Sequence, residues 1–283
     1  MNPAGRVVVT GCLAERAPDA LAGMPEVAAV IGNRAKKNLL SIVTAELQKA
    51  SGPVIASGDQ SGPGFLPLSP RVGSLSATRT RATVQVQEGC DEHCTYCIVP
   101  RVRGRSRSRP IEDIVAETET LVADGSVEIA LTGVNTGAWG LDLGAEGGIA
   151  AVVDAILRVH TPSGQRVERL RLNSLEPQAI TPDLVRKCAM EPRVCRHFHV
   201  PLQSGSDAIL RKMNRRYTAA EYAQKIELIA EHIPDVAIGA DVMVGFPGET
   251  DEQFGETFEL VQRLPLTYLH VFPFSPREGT PAL

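Results

Sequence analysis

From Thr80 onward, strand-like and helix-like stretches alternate, and this alternation limits the possible folds more than any other feature of the chain. The strand-like runs are RATVQVQ (81–87), VEIALTG (127–133), VERLRLNS (167–174), RHFHVPLQ (196–203), VAIGADVMVGFP (236–247) and YLHVFPFS (268–275). Between them lie helical patterns. One is opened by Pro110 and ended by Gly125, and another takes Thr181 as N-cap with Pro182 at its first position. Others fall at 149–160, 207–213, 218–233 and 250–264. Six strand–helix units predict an α/β fold with a parallel sheet and helices outside it. Functional residues are then expected where the strands end.

The front of the chain reads differently. RVVVT (6–10) is a short buried strand, and 20–47 mixes strand-like and helical patches. Residues 51–78 are rich in Gly, Pro and Ser and lack periodicity, as a linker does. The expected organisation is a small α/β piece at 1–50, a linker at 51–78 and a main domain at 79–283. Hydrophobic residues at 43% and charged residues at 22% exclude a disordered chain and a fibrous repeat. No window holds the roughly 18 unbroken apolar residues of a membrane span, and the first residues lack a signal-peptide core. A cytoplasmic location is expected. The net charge of −4 gives no global attraction to nucleic acid, so any such binding needs a local basic patch.

Three of the six cysteines, Cys90, Cys94 and Cys97, fall within eight residues directly after the first strand of the alternating series. Reduced thiols clustered like this point to a metal or to catalysis. Three thiolates can hold three irons of a [4Fe–4S] cube and leave the fourth iron open. A zinc site would need a fourth ligand, and adjacent His93 is poorly placed to supply it. Arg101, Arg103, Arg105, Arg107 and Arg109 follow, five cations in nine residues. In an extended segment their alternation puts them on one face, as RNA phosphates would require.

CxxxCxxC with Tyr96 before its last cysteine resembles the radical S-adenosylmethionine (SAM) superfamily. GCDEHCTYCIVPRVRGRSRSRP resembles its methylthiotransferase branch, as do LTGVNTGAWG (131–140), RLNSLEP (171–177), HFHVPLQSGSDAILRKMNRRYT (197–218) and DVMVGFPGETDEQF (241–254). The resemblance implies a partial (β/α)6 TIM-like barrel behind a remnant of an α/β methylthiotransferase domain. It implies that Cys90, Cys94 and Cys97 ligate a [4Fe–4S] cluster whose open iron takes SAM, and that SAM is split to a 5′-deoxyadenosyl radical. Tyr96, Thr132, Gly133, Ser174, Glu176, Gln203, Gly245 and Phe246 are then expected around the cofactor, and the five arginines at RNA. TGVNTG resembles the branch that converts N6-threonylcarbamoyladenosine at position 37 of tRNA to its 2-methylthio derivative. The implied partners are the tRNA anticodon loop and an electron donor such as flavodoxin or ferredoxin, with no membrane and no DNA.

Cys12 resembles one of three ligands of the family's second, auxiliary [4Fe–4S] cluster. The other two have no counterpart, and the family's C-terminal β-barrel RNA-binding domain is not matched. The resemblance therefore implies truncation at both ends. Alternatives are methylthiotransferases acting on a ribosomal protein or on isopentenyladenosine in tRNA, an inactive fragment, and a zinc-bound RNA-binding module.

Overall fold

A computed structural model describes residues 6–46, 53–56, 65 and 80–283. The front unit is a parallel sheet of β1 (Val7–Thr10), β2 (Val27–Ile31) and β3 (Val54–Ala56), with β2 in the centre. The central position explains why Ala29, Val30 and Ile31 are almost fully buried. β3 falls inside the stretch read as a linker, and this corrects its start. Val54 and Ile55 are too short a run to show periodicity, and only the edge of β2 makes a strand of them. Most of 57–78 lies outside the described residues.

The main domain begins with β4 (Arg81–Gln85), followed by a small antiparallel pair, β5 (Gln87–Glu88) with β6 (Arg107–Ser108). The other strands are β7 (Glu128–Thr132), β8 (Arg169–Arg171), β9 (His197–His199), β10 (Ala237–Val244) and β11 (Tyr268–Pro273). β4, β7 and β8 pair in parallel, and so do β9, β10 and β11. A parallel bridge between Leu170 and Val194 joins the two halves. Apart from the β5–β6 pair, the six strands therefore stand in chain order, as the alternation predicts.

β8 and β9 are shorter than their sequence runs. β9 ends at His199, but main-chain bonds to β10 run on past Pro201, from the Val200 amide to the Gly239 carbonyl at 2.9 Å and from the Leu202 amide to the Asp241 carbonyl at 3.1 Å. Residues 172–176 leave β8 and carry Ser174 and Glu176 toward the strand ends. One aliphatic core fills the domain, with Ile114, Ile129, Ile156, Leu170, Val185 and Ile226 each fully buried. Each such side chain stabilises the fold by roughly 1.5–3 kcal/mol relative to exposure. Tyr222 is also fully buried, and its hydroxyl donates to the Val200 carbonyl at 2.8 Å. Thr181 caps its helix as expected, accepting from the Leu184 amide at 3.2 Å. Thr218 and Thr250 each form a reciprocal capping box. No helix among the described residues is long and apolar enough to cross a membrane.

Candidate active site

The cysteine loop is fastened at both ends and in the middle. The Cys90 amide donates to the Gly104 carbonyl at 3.0 Å, and the Cys97 amide to the Cys94 carbonyl at 3.0 Å. Thr95 bonds through its amide to Met213 (3.0 Å) and through its hydroxyl to Lys212 (2.8 Å), both carbonyls at the end of helix Asp207–Lys212. Gly89 has φ +72°, and a Cβ there would lie 2.0 Å from the Arg105 carbonyl oxygen. Only glycine fits that turn.

The loop opens onto a cavity of about 280 Å³ at the C-terminal ends of the strands. Cys90, Cys94, Cys97, Tyr96, Ser174, Glu176 and Gln203 all line it, so seven of the residues expected at the cofactor converge there. Thr132, Gly133, Gly245 and Phe246 stand outside its lining. Gly133 packs on Gln87, where a Cβ would come within 3.0 Å of the carbonyl oxygen. Gly245 donates its amide to Glu249 at 2.7 Å. Phe246 packs with Met213 and Met243 in a small cluster that includes Tyr96.

Among the lining residues not expected from the sequence, three shape the polar side of the cavity. Arg215 is buried, with its side chain 5% exposed. Its guanidinium forms an ion pair with Glu176, donates to Cys94 Sγ at 3.4 Å and to the Tyr217 hydroxyl at 3.0 Å, and lies over the Tyr217 ring. Burial pushes the Glu176 carboxyl above its usual range, and the Arg215 charge opposes that shift. Burial works against the Arg215 charge too, but Tyr217 and Glu176 around it outweigh that effect. Asn135 is the second. Its amide and that of Val134 donate to Gln87 Oε1 at 2.7 and 3.1 Å. Gln87 is fully buried and donates from Nε2 to the Gly89 carbonyl at 2.7 Å, which ties the cysteine loop to the loop after β7.

Asp241, on β10, is the third. It pairs with His199 at 3.0 Å and with His270 at 3.2 Å. Burial raises the Asp241 carboxyl, but the two imidazoles outweigh it and hold it below the ordinary carboxylate value. Tyr268 bonds His197 and His199 at 2.8 and 3.2 Å.

Gln203 sits in the left-handed region at φ +67°, rare for a residue with a side chain. Its Oε1 is buried without a hydrogen-bond partner among the described residues. A strained backbone and an unpaired acceptor on one cavity wall suit a site built for a polar ligand. The thiols suit a cluster. Burial pushes Cys90 up to about 11 and raises Cys97 as well, so a metal binding there must displace their protons. Among the described residues, the ligand atoms of His199, Asp241 and His270 also lie within 4.8 Å of one another.

Cys12 fits a second cluster less well. It accepts from Arg103 Nε at 3.2 Å and Asn33 Nδ2 at 3.8 Å, and it is the one cysteine before Cys90. The residues present do not make up a second ligand set.

The arginines do not share one face, which corrects the extended-segment premise. Val99–Arg103 is a helix and Arg107–Ser108 a hairpin strand, so the alternation is broken. Arg109 is buried in an ion pair with Glu117. Arg105 meets Asp91 in solvent, and Arg103 meets Glu88 at 3.0 Å. Arg101 is exposed, and Arg107 bonds the carbonyls of Arg103 and Arg105.

The family model of the Radical SAM superfamily matches residues 84–261, and the chain belongs to that superfamily. Among curated proteins it is 40% identical to the threonylcarbamoyladenosine tRNA methylthiotransferase MtaB of Rickettsia prowazekii, over 99% of this chain and 64% of that protein. It is 34% identical to the Bacillus subtilis MtaB, over 99% and 60%. It is 37% identical to a tRNA-2-methylthio-N(6)-dimethylallyladenosine synthase of Parafrankia, over 99% and 55%. The chain thus spans 55–64% of the length of these relatives. Among solved structures, the radical SAM methyltransferase TsrM of Kitasatospora setae superposes with a TM-score of 0.68 at 18% identity, over 94% of this chain and 55% of that one. The cobalamin-dependent radical SAM enzyme OxsB gives 0.60 at 14% identity, over 97% and 41%. At such identity these two show the fold alone.

Proposed function

We propose that the chain is the radical-generating part of a tRNA methylthiotransferase acting on threonylcarbamoyladenosine at position 37. The observation that carries this reading is the convergence of Cys90, Cys94 and Cys97 with the Arg215–Glu176 pair and the unpaired Gln203 Oε1 on one cavity. The similarity to MtaB proteins along nearly the whole chain supports the choice of substrate.

Bound there, a [4Fe–4S] cluster and SAM supply the electron and the carbon–sulfur bond cleavage that yield a radical. The chain's residues hold and orient. Cys90, Cys94 and Cys97 are the cluster ligands. Arg215 places a positive charge beside Cys94 Sγ, to which it donates at 3.4 Å. Glu176 balances that charge and keeps the guanidinium in place. Gln203 and Ser174 offer polar contacts to the amino-acid or ribose groups of SAM, and Tyr96 closes the loop side against water. Gln87 keeps the cysteine loop and the loop after β7 in register, so both cavity walls hold their spacing. An electron donor such as flavodoxin or ferredoxin would dock at the loop side, and the setting would be the cytoplasm.

The test is anaerobic reconstitution with iron and sulfide, then incubation with SAM and dithionite. About four irons per chain and release of 5′-deoxyadenosine are expected, whereas zinc in place of iron, or a full cluster without cleavage, overturns the reading. Nucleoside analysis of tRNA treated with the protein separates the threonylcarbamoyl from the dimethylallyl substrate. The 37% identity to a dimethylallyladenosine synthase makes that second substrate the one to exclude.

A further inference from the structure

A second cavity, of about 150 Å³, lies where the front unit meets the Gly104 turn, and its lining includes Asn33, Arg34, Lys36, Glu88, Arg103 and Arg107. Four cations face one carboxylate there. Glu88 is taken by Arg103 at 3.0 Å. Arg34, Lys36 and Arg107 have no acidic partner among the described residues. Nε and Nη1 of Arg34 and Nε of Arg107 are buried with no hydrogen-bond partner among those residues. Both guanidinium groups are nevertheless held in place. Arg107 donates to the carbonyls of Arg103 and Arg105, each at 3.3 Å. Arg34 packs on Gly104, where a Cβ would come within 2.3 Å of its Nη2.

Buried, unpaired guanidinium donors are costly, and three uncompensated cations beside one small cavity repel one another. Water can satisfy donors but cannot balance charge. An oxyanion does both, and the guanidinium fork matches its oxygens. Asn33 adds a constraint. Its Nδ2 donates to the Val102 carbonyl at 3.1 Å, which fixes the amide orientation and leaves Oδ1 buried without a donor. The ligand should therefore present anionic oxygens and a hydroxyl together. A ribonucleotide does so, because its 2′-hydroxyl stands close to the backbone phosphate.

We propose that this pocket binds a phosphate group, and that the group belongs to an RNA backbone. The choice of RNA rests on the tRNA reading above, while the anion chemistry stands on the pocket alone. Two of the unpaired cations, Arg34 and Lys36, stand on the short helix Asn33–Asn38 of the front unit, which thereby contributes to substrate binding.

The test uses the whole chain. Its melting temperature is measured in inorganic phosphate against chloride at matched ionic strength, for wild type and for the double variant Arg34→Gln, Lys36→Gln. Lys36→Gln alone serves as a second variant, and circular dichroism checks that both fold. Phosphate should stabilise the wild type and lose that effect in the double variant, with an intermediate response in Lys36→Gln. No stabilisation beyond chloride, or an equal response from a folded double variant, overturns the pocket. In a second arm, binding of an anticodon stem-loop RNA is followed across a salt series. The double variant should reduce the salt slope by about 1–2, and DNA of the same sequence should bind the wild type more weakly. Stabilisation by phosphate with RNA binding unchanged in the variant assigns the pocket to the free ion and overturns its RNA source. SAM cleavage by the wild-type chain reports separately on the proposed function. Cleavage without a phosphate response overturns the pocket alone, and a phosphate response without cleavage overturns the radical reading alone.

Discussion

The thiol-lined cavity and the arginine-lined pocket flank one stretch of chain, residues 85–107, yet their charges are arranged in opposite ways. In the first, the buried cation Arg215 has its counter-ion, Glu176, a ring beneath it in Tyr217 and a sulfur acceptor in Cys94. In the second, Arg34 and Arg107 keep buried donors with no partner among the described residues, and Glu88 already serves Arg103. A matched buried charge holds structure, and an unmatched one marks a place where a ligand completes the balance. Substitutions in the two sites should therefore differ in sign and size as well as in what they abolish.

The largest effect should come from Cys94→Ser, which removes one of the three proposed cluster ligands. Iron content should fall from about four per chain toward zero, and 5′-deoxyadenosine formation should stop. Gly89→Ala should give nearly the same loss with every thiol intact, because the added Cβ meets the Arg105 carbonyl oxygen and displaces the loop. An iron count near the wild-type value in that variant would show that the loop tolerates a shift. Arg215→Met should destabilise the chain by about 3 kcal/mol in urea unfolding, since it strands the Glu176 carboxyl in the interior. Thr218→Ala should cost about 1 kcal/mol through loss of a helix cap, leaving SAM cleavage unchanged and giving a scale for an effect remote from both sites. Arg34→Gln is the counterpart of Arg215→Met. It should shift unfolding by less than about 0.5 kcal/mol in phosphate-free buffer, because it removes an unpaired charge. A loss as large as that of Arg215→Met would mean that Arg34 has a structural partner and would erase the contrast.

The sequence by itself determined the order of elements and the loop that carries the three clustered cysteines. Strand and helix periods are local properties, so the six strands, the Thr181 cap and the loop bearing Cys90, Cys94 and Cys97 are all legible in the residue order alone. The three proposed cluster ligands lie within eight residues of chain, so spacing alone brings them together. Ser174, Glu176 and Gln203 were legible for a related reason, since residues at the ends of parallel strands converge on one face.

Tertiary structure decided the rest, where the deciding partner lies far along the chain. Arg215 is 121 residues from Cys94, so no local spacing brings the two together. Asp241 reads as an ordinary strand residue until His199 and His270 meet it from the strands on either side. The arginine run misled for the same reason. A helix and a hairpin in nine residues send Arg109 into a buried ion pair, Arg101 and Arg105 into solvent, and Arg103 and Arg107 into the pocket. Val54–Ala56 became a strand only because β2 offered it an edge. Periodicity reports the face that a residue shares with its chain neighbours. It does not report which distant charge or carbonyl that face will meet, and that meeting sets the charge balance in both cavities.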